Sequence, residues 1–158
     1  MNEPPDPIRV IIAVLGALVL YSGLSQVLEY SLVRAAGGDG VTTIDAYLAV
    51  LNRLPILATK ASFNLVVGVL VGYIAAKVVA TRPLTFVAMA AVLETCSLAW
   101  GSFAGEYAVL PLWYRLVLLA TTGPAFMAGA WVQLQAETML GADDALAAER
   151  AEPRKEQS

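Results

Sequence analysis

An all-α polytopic membrane protein, a bundle of four transmembrane helices with a short interfacial amphipathic helix between the first two, is the fold class this chain predicts. Three observations carry the prediction. Four apolar stretches run from about Ile8 to Leu28, Pro55 to Val79, Leu84 to Phe103 and Leu112 to Val132. Each holds on the order of 20 residues, which at ~1.5 Å rise per residue match a ~30 Å hydrocarbon core. Hydrophobic residues make up 58% of the chain and the mean hydropathy is +0.68, above the soluble range, so a soluble helical bundle is the distant second reading. Residues 1–140 are read as the transmembrane domain and 141–158 as a polar, largely disordered tail.

The first stretch follows Met1-Asn2-Glu3-Pro4-Pro5-Asp6-Pro7. That flank is acidic where a secretory signal is basic, and the apolar run is too long for a signal core, so the segment is expected to stay as a helix. Gly37, Gly38 and Gly40 with Asp39 make a joint after it. Beyond the joint, Ile44, Tyr47, Leu48, Leu51 and Leu54 fall at the i, i+3, i+4, i+7 spacing of one helical face, which predicts an amphipathic helix over 42–54 lying on the interface. Thr42 and Asp45 suit a capping box, and Pro55 can open the next helix. After the fourth stretch, Gln133 to Leu140 extend the helix, Gly141 is placed to end it, and the last residues, Glu152 to Ser158, lack the apolar content to fold.

Several chemistries are absent from this composition. The chain contains no histidine and one cysteine, Cys96, in the third stretch. An intramolecular disulfide, His-ligated haem, the common zinc sites and His-paired nucleophiles are thereby excluded, so neither a cofactor, a metal nor an enzyme activity is expected. Cys96 reads as a small buried apolar group. A net charge of -3 offers no basic surface for nucleic acid. With four spans both termini lie on one side; Arg9, Lys77, Arg82 and the basic residues of the tail weight that side toward the cytoplasm of a bacterial inner membrane, against Arg34, Arg53, Lys60 and Arg115 opposite.

Close helix packing in lipid rests on small residues. Gly68, Gly72 and Ala76 recur at four-residue intervals in the second span, with Gly129 in the row Thr121, Ala125, Gly129, Gln133 of the fourth. These rows are expected to pack within one chain rather than between two. Trp100, Tyr107, Trp113 and Tyr114 flank the last turn and read as interfacial anchors.

The main functional clue is Glu94, at the centre of the third span. An acid at the bilayer midplane costs ~2.5–3.5 kcal/mol on insertion scales, and its neutral form is the one expected there. Ser97 stands one turn along, while Thr121, Thr122 and the Ala120 carbonyl left unbonded by Pro124 come to similar depth, so Glu94, Ser97, Thr121 and Thr122 form a candidate midplane site. Two readings stay open: a structural hydrogen bond, or a proton- or substrate-coupled site. A second polar layer nearer the outer boundary combines Glu29, Lys60 and Asn64. With Ser22 and Gln26 on the same face of the first span as Glu29, it is either a vestibule leading toward Glu94 or a set of snorkelling side chains.

The chain resembles a loose set of small uncharacterised bacterial four-helix integral membrane proteins. The shared features are an acid closing the first span (Glu29), Gly68-x-x-x-Gly72-Tyr73-x-Ala75-Ala76-Lys77 followed by Arg82-Pro83, and Pro111-x-Trp113 at the entry to the last span. That resemblance implies a membrane bundle and no particular activity, and Glu94 is not part of it. The architecture is also similar to small multidrug-resistance transporters, which place their membrane glutamate in the first helix, whereas this chain carries it in the third. The leading expectation is a non-catalytic accessory or assembly component, its partners the lipid bilayer and either a second copy or another membrane protein. The alternative is a small proton-coupled carrier of a cation or hydrophobic solute using Glu94.

Overall fold

The computed structural model describes residues 6–37, 42–79, 82–105 and 109–151, the last ten of these as backbone only. Its elements are α1 (Pro7–Gly37), α2 (Ile44–Leu51), α3 (Leu54–Val78), α4 (Pro83–Ala104) and α5 (Leu112–Ala151). The four long helices are apolar and long enough to cross a bilayer, α5 over Leu112–Gly141. Large apolar side chains cover their outer faces, among them Ile8, Val19, Val66, Val92 and Trp131. Water would not tolerate so continuous an apolar exterior, but hydrocarbon matches it. The protein is a multi-pass, four-helix membrane bundle with one short helix, α2, between the first two spans.

Local signals explain most helix ends. Asp6 Oδ1 accepts the Ile8 N–H at 3.0 Å and Pro7 opens α1, where its missing N–H is harmless. The helix runs past its expected end near Leu28 to Gly37, because the segment 28–36 contains neither glycine nor proline. Helix α2 is shorter than expected. Thr43 caps it instead of Thr42, its Oγ1 accepting the Ala46 N–H at 3.2 Å, and Asn52 closes it through the Leu48 carbonyl. Arg82 takes a left-handed conformation at φ 52° immediately before Pro83. At the other end of α4, Arg115 Nη1 donates to the Ser102 carbonyl at 2.7 Å, occupying an acceptor that the helix itself leaves open.

Helix α5 continues through Pro124 and through Gly141, the expected stop, to Ala151. A glycine costs a helix only ~1 kcal/mol relative to alanine, too little to end one with helix-forming neighbours on both sides. The glycine joint at 38–40, Tyr107 and the tail from 152 lie outside the described residues.

The long helices follow one another around the bundle as α1, α3, α5, α4, with the α3–α5 contact the most extensive and α1–α4 the loosest of the four neighbouring pairs. Glycine explains the tight side. A Cβ on Gly72 would collide with the Phe126 carbonyl oxygen and one on Gly129 with the Val69 carbonyl oxygen, while one on Gly68 would stand 2.8 Å from Ala125 Cβ. Ala76 is buried in the same seam. Gly68, Gly72, Ala76 and Gly129 thus meet within one chain, α3 against α5.

Two apolar layers result. One joins Val14, Ala17, Tyr21, Val71, Ala90 and Phe126 toward the terminal end; the other joins Val33, Val50, Leu57, Leu110, Tyr114 and Leu118 toward α2. Between them lies a polar layer that includes Ser25 and Glu29 of α1, Lys60 and Asn64 of α3 and Thr122 of α5.

The backbone contacts at Gly72 and Gly129 cannot yield as a side chain would, so Gly129→Ala should lower unfolding stability in detergent by about 1–3 kcal/mol. Gly16 has no atom within 4 Å of a Cβ position, and Gly16→Ala in the same assay should be neutral or mildly stabilising. Equal effects at the two positions would contradict the seam.

Candidate functional site

The polar layer encloses a cavity of about 170 Å³ bounded by α1, α3, α4 and one residue of α5. At ~30 Å³ per liquid water it has room for a handful of waters or a small solute. Lys60 and Glu29 stand at its α2 end, Ser25, Gln26 and Asn64 along its length, and Ser22, Ser97 and Glu94 at its inner end. It lies where α1 and α4 pack least, the space that the tight α3–α5 seam leaves on the opposite side.

The α2 end is held by an ion pair. Lys60 Nζ donates to Glu29 Oε2, and both groups are screened from the exterior, Lys60 with only 4% of its surface exposed. Tyr47 of α2 donates its hydroxyl to Glu29 Oε1 at 2.7 Å. On the other side the Lys60 ammonium stands 5.6 Å from the centre of the Tyr114 ring, a cation–π distance, and Asn64 Nδ2 makes a long 3.5 Å contact to the Tyr114 hydroxyl. Four helices therefore converge on one lysine. A buried pair of this kind is costly to assemble but far costlier to break, because removing one partner strands the other charge.

This geometry decides one open alternative and overturns two expectations. Lys60 and Asn64 are buried rather than snorkelling. Tyr114, expected as an interfacial anchor, is fully enclosed, since the α3–α5 contact covers the face on which it stands. Trp100 and Trp113 are exposed on the outer surface. Cys96, expected to be buried, faces outward as well.

Glu94 is the twelfth of the 22 residues of α4, ~15–17 Å from either end of the helix, and 4% exposed. Ser22 Oγ donates to its Oε1 across a long 3.4 Å bond. A carboxyl group has about four lone-pair positions, so a single long bond leaves most of its capacity unused. Ser25 Oγ, another cavity-lining group, is buried with no hydrogen-bond partner.

The three residues expected around Glu94 separate. Ser97 joins it on the cavity wall. Thr121 instead donates to the Val117 carbonyl at 2.8 Å and Thr122 to the Leu118 carbonyl at 2.7 Å, each bonding back into its own helix as membrane threonines do. Thr122 also approaches the Tyr21 hydroxyl at 3.4 Å. Depth alone put these threonines beside Glu94; the rotation of α4 turns the acid toward α1 instead. Tyr47, Tyr21 and Ser25 were not singled out from the sequence as site residues. Tyr47 sits on the apolar face of an amphipathic helix, and only its hydroxyl, at the tip of a long ring, signals a second role.

No protein-family model matches the chain, and no curated protein or solved structure is significantly similar to it. The protein is defined by its architecture, a four-span membrane bundle with a short extra helix and an interior polar layer.

Lys60→Met should destabilise the protein by about 3–5 kcal/mol by leaving Glu29 buried and unpaired, and adding Glu29→Gln should restore much of the loss. Tyr47→Phe should cost about 1.5–3 kcal/mol, the worth of a hydrogen bond to a charged group. Denaturation in detergent or bicelles checks all three, and a double variant no more stable than Lys60→Met would contradict the pair.

Proposed function

We propose that the protein is a small proton-coupled carrier whose cavity receives a cation or a hydrophobic solute at Glu94. What carries the reading is one observation: a carboxyl group at mid-membrane, nearly enclosed, lines a polar cavity while using one long bond to a neutral serine. A buried polar side chain normally has at least one good hydrogen-bond partner, and here a single long bond is all that Glu94 makes among the described residues. This one retains room for a ligand, beside the unbonded hydroxyl of Ser25.

The chemistry is an exchange. Protonated, Glu94 is neutral and tolerated in the bilayer centre. When a cationic solute enters, the carboxyl proton leaves, the carboxylate pairs with the cation, and the net charge in the cavity is unchanged. Ser22, Ser25 and Asn64 supply hydroxyl and amide groups along the path. Lys60 does not compete for Glu94, because Glu29, itself held by the Tyr47 hydroxyl, pairs with it at the far end. A bacterial inner membrane with both termini in the cytoplasm is the placement we favour, on the strength of Lys77 and Arg82 beside the α3–α4 turn.

The other reading, a non-catalytic accessory or assembly component, draws support from the mutual satisfaction of Glu29, Lys60, Tyr47 and Tyr114, which needs no ligand. Glu94→Gln separates the two. The substitution keeps the shape and the capacity to hydrogen-bond but cannot exchange a proton. In proteoliposomes, pH-gradient-driven flux across a panel of organic cations should fall to background while expression and monodispersity stay normal. Proton-coupled flux retained by the variant would exclude Glu94 from the exchange and leave the accessory role standing.

A further inference from the structure

The outer face of α1 carries a second pattern. Ile8, Ile12, Leu15, Val19, Ser22 and Gln26 follow one another at alternating spacings of four and three residues, the seam of a left-handed helix pair. All six are exposed on the outside of the bundle, Val19 by 74%. The buried face of the same helix, marked by Ala13, Ala17 and Tyr21, points the other way. None of the described residues covers this seam.

In hydrocarbon the four aliphatic positions are indifferent to lipid and gain nothing by pairing alone. Ser22 and Gln26 are different. Ser22 lies at the level of Glu94, to which it is bonded, and Gln26 is one turn, ~6 Å, further along, inside the ~15 Å half-thickness of the hydrocarbon core. An amide group turned toward lipid at that depth lacks partners that lipid cannot supply. Both residues also line the polar cavity, so the cavity reaches the bundle surface beside them.

We infer that this seam is an interface between two copies of the chain, with the two α1 helices parallel about a twofold axis. The occupant follows from the chemistry of Gln26. A primary amide carries donor and acceptor together and pairs with its own copy across a twofold axis, where the interface must be self-complementary. A parallel arrangement brings Gln26 to Gln26, Val19 to Val19 and Ile12 to Ile12. It also closes the lateral opening of the cavity, so the enclosed site is complete only in the dimer. The interface forms whether or not the cavity carries a solute.

Cysteine cross-linking of the full chain in vesicles at low protein density tests this, in a Cys96→Ala background that removes the one native thiol, which itself faces outward. Ile12→Cys, Val19→Cys and Gln26→Cys should each give covalent dimers on mild oxidation, whereas Val66→Cys, on the outer face of α3, should not. Gln26→Leu should lower the association constant, read by energy transfer between labelled copies, by about three- to twentyfold, the range measured for interhelical hydrogen bonds in membranes. Cross-linking no greater on the seam than at Val66 would overturn the proposal. So would dimers formed through Val19 alone, the mark of an antiparallel pair, or an association constant unchanged by Gln26→Leu.

Discussion

A lysine and a glutamate, held together inside the bundle and screened from its exterior, determine how most of this protein comes together. Lys60 on α3 and Glu29 on α1 cannot separate without stranding a charge, and the groups that complete their surroundings come from elsewhere, Tyr47 from α2 and Tyr114 from α5. Their pairing sets the rotation of α1 about its axis. That rotation directs Ser25 inward, sets Ser22 at the edge of the cavity within reach of Glu94 on the third span, and leaves Val19 outside. It also ties α2, which would otherwise only lie on the interface, to the mouth of the cavity.

The bundle is asymmetric in a way that follows from glycine. Where Gly68, Gly72 and Gly129 stand, α3 and α5 approach until backbone meets backbone, and no space remains for polar groups. Opposite, between α1 and α4, packing is loose, and polar side chains of α1, α3 and α4 collect there between two apolar layers. Tight packing on one side supplies stability without hydrophobic drive. Loose packing on the other leaves a place for a ligand and for the change of protonation that would accompany it.

Helix number, order and approximate depth were legible in the sequence, because hydrocarbon imposes length and composition on every span. That Glu29 and Lys60 share one polar layer was also legible, from their similar distance to the helix ends; that they pair is seen in the structure. Rotation was not. Thr121 and Thr122 share the depth of Glu94 but bond into their own helix, and residue spacing says nothing about which neighbour a helix face meets when all faces are apolar. Amphipathic pattern misled for the same reason at Tyr114, where a ring suited to an interface is enclosed. Local capping chemistry was right in kind and one residue off, at Thr43 instead of Thr42, and Gly141 showed that a breaker is weak inside a long helix.

The claim on which the functional account rests is that Glu94 exchanges its proton through the polar cavity. Infrared difference spectroscopy of the reconstituted protein against Glu94→Gln addresses it directly, by following the carbonyl stretch of the protonated carboxyl through hydrogen–deuterium exchange and a pH titration. The account predicts a Glu94-dependent band that shifts within the mixing time in heavy water, disappears as the group titrates, and moves when a bound cation is added. A band that resists deuteration and persists unchanged to alkaline pH would mean a sealed structural hydrogen bond, and would contradict the account.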